Sequence, residues 1–125
     1  MAFVADIPYK DGHYTGCSRG GYNNEPYYGF TAIDISGGRI VQVTYFVRDS
    51  DKHENLTAAY EKYFAGNELY TQQCINDLKG IRSYPDSLLK YQDIRRVDAI
   101  SGATWSYRIF RASVKEALKQ AIKKQ

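Results

Sequence analysis

Cysteine and histidine are scarce in this chain: Cys17, Cys74, His13 and His53 are the full complement among 125 residues. The cysteines are far apart, with no Cys-x-x-Cys and no histidine at ligand spacing, which excludes the zinc and dithiol-redox motifs. A disulfide between the two stays open. Neither histidine stands in a Ser-His-Asp or His-Glu metal pattern, so a hydrolase has no support. Long apolar runs are also missing, and nothing approaches the ~20 residues that span a bilayer. Met1-Ala2-Phe3-Val4-Ala5 is too short, and lacks the basic flank, for an export signal; this leaves a cytoplasmic protein or a trimmed piece of an exported one. Charge of one sign is weak as well. The net charge is +3, and Lys119, Lys123 and Lys124 crowd the C-terminal end as a solvated helix end would, without the aromatic interleaving of a nucleic-acid surface. Internal repeats, low-complexity tracts and linkers are absent, so residues 1–125 are expected to form one domain.

Tyrosine is abundant instead: twelve tyrosines stand beside five phenylalanines and one tryptophan. A phenol combines an apolar ring with a hydroxyl that wants a partner, so these residues suit half-buried core edges or a site for a flat ring. With 43% hydrophobic and 25% charged residues, the chain has enough apolar surface to fold alone.

Asp11-Gly12, Gly20-Gly21 and Asn23-Asn24 with Pro26 punctuate the first thirty residues and imply short strands. Tyr27 to Ile35 and Arg39 to Val47 are rich in β-branched and aromatic residues, and Ser36-Gly37-Gly38 between them predicts a hairpin. Asp49-Ser50-Asp51 offers caps for a helix carrying Leu56, Ala59, Tyr60, Tyr63 and Phe64 and ending near Gly66. A second helix is expected from about Leu69 to Lys79, stopped by Gly80, and a short third after Pro85 and Asp86. A long amphipathic helix from about Thr104 to Lys123 closes the chain. Strands first and helices later indicate an α+β fold, with N-terminal antiparallel hairpins packed against helices.

Ser101-Gly102-Ala103-Thr104-Trp105-Ser106 stands at the start of that last helix. The first turn of a helix leaves backbone N–H groups without intrahelical partners and carries the positive end of the helix dipole, a combination that suits a phosphate. Gly102 and Ala103 are small enough for an anion to approach the backbone, and Ser101, Thr104 and Ser106 offer hydroxyls. The same residues also serve plain capping, since Ser and Thr begin many helices. Trp105 could stack on a ring or pack in the core, and Tyr14, Tyr22, Tyr27, Tyr28 and Tyr45 are further ring candidates.

The run Asp98-Ala99-Ile100-Ser101-Gly102-Ala103-Thr104 resembles the Asp-x-x-Ser/Thr-Gly-Ala-Thr signature of the FMN-binding domain family. That family includes the flavin domains of sodium-translocating NADH:quinone oxidoreductase and of the related ferredoxin-linked electron transport complex. Leu88 to Val97 is similar to the stretch leading into that signature, and Ile109 to Ala121 to the family's final helix. Asp11-Gly12-His13-Tyr14-Thr15-Gly16 and the hairpin around Gly37-Gly38-Arg39-Ile40-Val41 are similar to its opening strands. The resemblance implies FMN as cofactor, with its phosphate at Thr104, either non-covalent or as a phosphoester made by a flavin transferase. It also implies redox partner proteins, membrane-associated in the large complexes, and the extracytoplasmic face of a bacterial membrane. Two departures stand out: Ala99 replaces a common glycine, and Glu54-Asn55 replaces a Glu-Thr pair near the family's flavin. Asp98 suits either a transferase's Mg²⁺ and FAD or the fixing of the loop. Two functions follow: an electron-transfer flavoprotein domain, or a non-redox module that binds FMN or another phosphate ligand in a sensory or structural role.

Overall fold

The computed structural model describes residues 9–18 and 26–122. The turn signals at Gly20-Gly21 and Asn23-Asn24, together with Tyr22, Lys123 and Lys124, lie outside the described residues. Among the described residues, four antiparallel strands follow one another in space as in sequence: β1 (Gly12–Cys17), β2 (Tyr27–Ser36), β3 (Arg39–Asp49) and the short β4 (Glu54–Asn55). Ser36 pairs with Arg39, so the hairpin loop is only Gly37-Gly38, with φ of 61° and 77°. Two consecutive positive φ values match the right-handed twist of the flanking strands, and glycine supplies them without strain. Asp11 fastens this loop by accepting both glycine N–H groups at 3.0 and 2.9 Å.

Alternation along β2 turns Tyr27, Gly29, Thr31, Ile33 and Ile35 to one face and Tyr28, Phe30, Ala32 and Asp34 to the other. In β3 the pairing slips opposite Asp34 and Ile35, which leaves Val41 exposed while Ile40 and Val43 both point into the core. Past the slip, Tyr45, Val47 and Asp49 keep to the covered face. That face carries two helices: α2 (Thr104–Ala121) packs across β1 and β2, α1 (Glu68–Tyr91) packs across β3, and the helices touch each other. The result is the α+β arrangement expected from the sequence. Among the described residues, no helix is long and apolar enough to cross a membrane.

Two expectations for the middle of the chain need correcting. Residues Ala58–Phe64 form a 3-10 helix after β4, shorter than the expected amphipathic helix, and Asp49 remains in β3. Further on, α1 runs unbroken through Gly80 and Pro85, so Gly80 does not stop a helix and no separate third helix follows Pro85. Cys74, Leu78, Ile81, Tyr84 and Leu88 form a continuous buried stripe across both, and packing of such a stripe outweighs local breakers. Gly80 is there because α2 begins against it. A Cβ at that position would lie 2.6 Å from Tyr84 Cε2, 2.9 Å from Ser106 Oγ and 3.0 Å from Ala103 Cβ.

Candidate functional site

Residues 97–103 connect a short 3-10 turn (Ile94–Arg96) to α2, and tyrosine hydroxyls hold them in place. Tyr84 accepts the Ile100 N–H at 3.0 Å and donates to the Ala103 carbonyl at 2.9 Å, while Tyr107 donates to the Val97 carbonyl at 2.7 Å. A turn closes on the Ala103 N–H bonding the Ile100 carbonyl at 2.9 Å, with Gly102 at φ 84° in its third position. That is where a type II turn demands a glycine. Gly102 therefore serves the turn itself, and a Cβ there would also come within 2.9 Å of Asn76 Nδ2.

The helix start departs from simple capping. Its N-cap is Ala103, which has no side-chain acceptor, and neither Ser101 nor Thr104 caps the helix. One first-turn donor is met from another element: Asp77 of α1 accepts the Ser106 N–H at 3.1 Å and the Ser106 hydroxyl at 3.0 Å. Ser106 and Ala103 are fully buried and face α1, so the Ser106 hydroxyl is turned away from the surface where an anion would approach. Ser101, Gly102 and Thr104 remain exposed at the tip, and Asp98 is exposed upstream. Gln73 of α1 bonds both the Asp77 carboxylate and the Gly102 carbonyl, at 2.7 and 3.2 Å, tying the turn to the helix.

Beside this tip opens a cleft of about 480 Å³ lined by aromatic and apolar side chains, chiefly Tyr27, Tyr60, Phe64, Tyr70 and Trp105, with Gln73 and Asp77 as polar members. Its volume lies in the range of clefts that hold small molecules. Trp105 joins the two features, since it sits in the first turn of α2 and meets Tyr27 edge-on with ring centres 5.2 Å apart. It also packs half-buried against the core, so stacking and core packing are not exclusive for this residue. The opposite wall is built by edge contacts of Phe64 with Tyr60 at 5.8 Å and with Tyr70 at 5.9 Å.

Of the other ring candidates, Tyr27 alone among those described lines the cleft. Tyr45 is buried and donates to the Ser106 carbonyl at 2.8 Å, Tyr14 donates to the carbonyls of Lys10 and Asp11, and Tyr28 faces the far side of the sheet. Glu54 lies in β4, where the Tyr63 hydroxyl at 2.6 Å and the Lys62 ammonium at 3.1 Å hold its carboxyl below the usual range. Cys17 and Cys74 are both free thiols; burial, aided by Glu61 and Asp77, pushes the Cys74 thiol up. No group of three or more metal-ligating side chains gathers among the described residues.

Because Thr104 makes no capping bond, Thr104→Ala is expected to leave stability within about 0.5 kcal/mol of the parent, the range of ordinary surface changes. A capping threonine would cost ~0.5–2 kcal/mol. Urea midpoints at unchanged slope distinguish the two.

The helix start thus has no side-chain cap of its own and lies next to an aromatic cleft. The chain belongs to the FMN-binding domain family, whose sequence model matches residues 21–119, and FMN is its cofactor. Two solved structures share the fold. The crystal structure of the CPE2226 protein from Clostridium perfringens is similar with a TM-score of 0.69 at 21% identity, over 90% of this chain and 88% of that one. A solution structure of a Clostridium thermocellum protein is similar with a TM-score of 0.52 at 19% identity, over 93% of this chain and 95% of that one. No curated protein matches the chain.

Proposed function

We propose that this is an electron-carrying flavin domain, with the FMN phosphate held at the start of α2 and the ring in the aromatic cleft beside it. Bound FMN supplies reversible uptake of electrons, and the protein supplies position and environment. The observation that carries the reading is the junction at Trp105: the same first turn that lacks its own side-chain cap also contributes a wall of the cleft. Gly102 and Thr104 present backbone and hydroxyl donors at the exposed tip, where the dipole of an 18-residue helix favours negative charge. Asp77 fixes the next turn from behind, so those donors are preorganised. Redox proteins, including membrane-associated ones, are the partners this role requires.

The exposed Thr104 hydroxyl also suits covalent attachment. With a flavin transferase, that oxygen would attack the FMN-side phosphorus of FAD, form the phosphoester, lose its proton and release AMP. Intact wild-type protein made with an active transferase and FAD is expected to gain the mass of FMN less one water, and Thr104→Ala to gain none. An unmodified wild-type mass would eliminate the ester. Purified protein should be yellow and bleach reversibly on reduction, and its spectrum after denaturation separates attached from exchangeable flavin. Colourless protein that takes up no added FMN would contradict the electron-carrying role.

A further inference from the structure

Two tyrosines of the cleft wall connect it to a buried carboxylate that the proposed docking of FMN does not use. Asp49 ends β3 on the helix-covered face and is 2% exposed. Its carboxylate accepts the N–H groups of Asp51 and Lys52 at 2.9 and 3.1 Å and the Tyr60 hydroxyl. Tyr60 meets Tyr27 hydroxyl to hydroxyl at 2.9 Å, and both rings line the cleft. Burial works to lift the Asp49 carboxyl, but the bonds from Tyr60 and from the Lys52 and Asp51 amides outweigh it and hold it below the usual range. Burial, with the bonds to Asp49 and Tyr27, pushes the Tyr60 phenol far above its ordinary range. Asp49 is therefore an anion and Tyr60 a neutral phenol around neutral pH. That orients the chain: Tyr60 donates to Asp49, so the Tyr60 oxygen accepts from Tyr27. The two O–H dipoles add, with their negative end at the Tyr27 oxygen.

We propose, building on the placement of the ring in this cleft, that Asp49 acts through Tyr60 and Tyr27 to favour the neutral oxidised ring over the negatively charged reduced ring, and so lowers the potential of the bound flavin. Two electrons and one proton separate the two forms, so reduction adds a negative charge beside a wall that already carries one. The described residues that line the cleft include no lysine, arginine or histidine, and Asp77 stands on the other side. Lys52 acts on Asp49 from an exposed position, where solvent and salt screen its charge. Opposite a unit charge about 10 Å away, at an effective dielectric near 20, an equilibrium shifts by roughly tenfold.

The test compares Asp49→Asn and Asp49→Ser with the parent, each loaded with FMN and titrated with dithionite against a dye of known potential. Both substitutes keep an oxygen that can accept the amides of residues 51 and 52, so the loop has two chances to survive. Removal of the charge should raise the ratio of reduced-to-oxidised FMN affinity about tenfold, an upward shift of ~30 mV for a two-electron couple. Asp51→Asn, a change to the exposed neighbour, should leave the potential in place. Loading is read first from quenching of Trp105, the single tryptophan. FMN that leaves Trp105 fluorescence untouched defeats the cleft placement and the inference together. Normal quenching with an unchanged or lowered potential in the folded Asp49 variants overturns the inference alone.

Discussion

Asp77→Ala is expected to destabilise the domain by about 3 kcal/mol. The carboxylate is 3% exposed and serves the Ser106 N–H, the Ser106 hydroxyl and the Gln73 amide at once. Truncation leaves a backbone N–H buried without its acceptor, a loss of ~1–3 kcal/mol, and strands side-chain donors as well. The Ser106 hydroxyl has the Ala103 and Asp77 carbonyls to fall back on, at 3.1 and 3.2 Å, which keeps the total near that value. Asp77→Asn retains an oxygen for the Ser106 N–H and should cost clearly less. FMN affinity should fall with Asp77→Ala, since this contact sets where α2 begins. Urea unfolding of the three proteins measures the effect, and an alanine variant within about 0.5 kcal/mol of the parent would show that α2 starts correctly without its borrowed cap.

Riboflavin is expected to bind at least about a hundredfold more weakly than FMN. The two ligands share the ring and differ in the phosphate, so the comparison isolates the contribution of the α2 start. Hydrogen bonds to a charged group contribute ~1.5–3 kcal/mol each, and two such bonds already exceed the ~2.7 kcal/mol of a hundredfold change. Part of the gain is electrostatic and should shrink with added salt, because the tip at Ser101, Gly102 and Thr104 is exposed. Calorimetric titrations with both flavins report this directly. Equal affinities would place the binding energy in the ring and leave the helix start without a part in it.

The hairpin and the last helix were legible because local signals and tertiary packing agree there. Alternation in β2, the paired glycines at 37 and 38 and the apolar stripe from Ile109 to Ala121 each point one way. Gly80 and Pro85 misled because locally each marks a helix boundary, the one an end and the other a start, whereas the stripe from Cys74 to Leu88 shows that packing decides. At the site, the run from Ser101 to Thr104 could be read as an anion-binding helix start, but not that Ala103 is the N-cap or that Ser106 turns inward. Those facts depend on Asp77, 29 residues earlier. One signal was available: an aspartate amid the apolar positions Cys74, Leu78 and Ile81 is a buried polar group that needs a partner. The far wall of the cleft was invisible for a similar reason. Tyr60 and Phe64 read as helix-core residues, Tyr70 carried no signal of its own, and only the fold sets all three opposite Trp105.

Amide and indole chemical shifts followed during titration with FMN test the site most directly. Occupation of the α2 start and the neighbouring cleft predicts that the largest changes fall on the amides from Ser101 to Trp105 and on the Trp105 indole N–H, with smaller ones at Tyr27, Tyr60 and Gln73. Shifts that spare residues 101–105 and gather instead on the outer sheet face around Phe30 and Phe46 would contradict it.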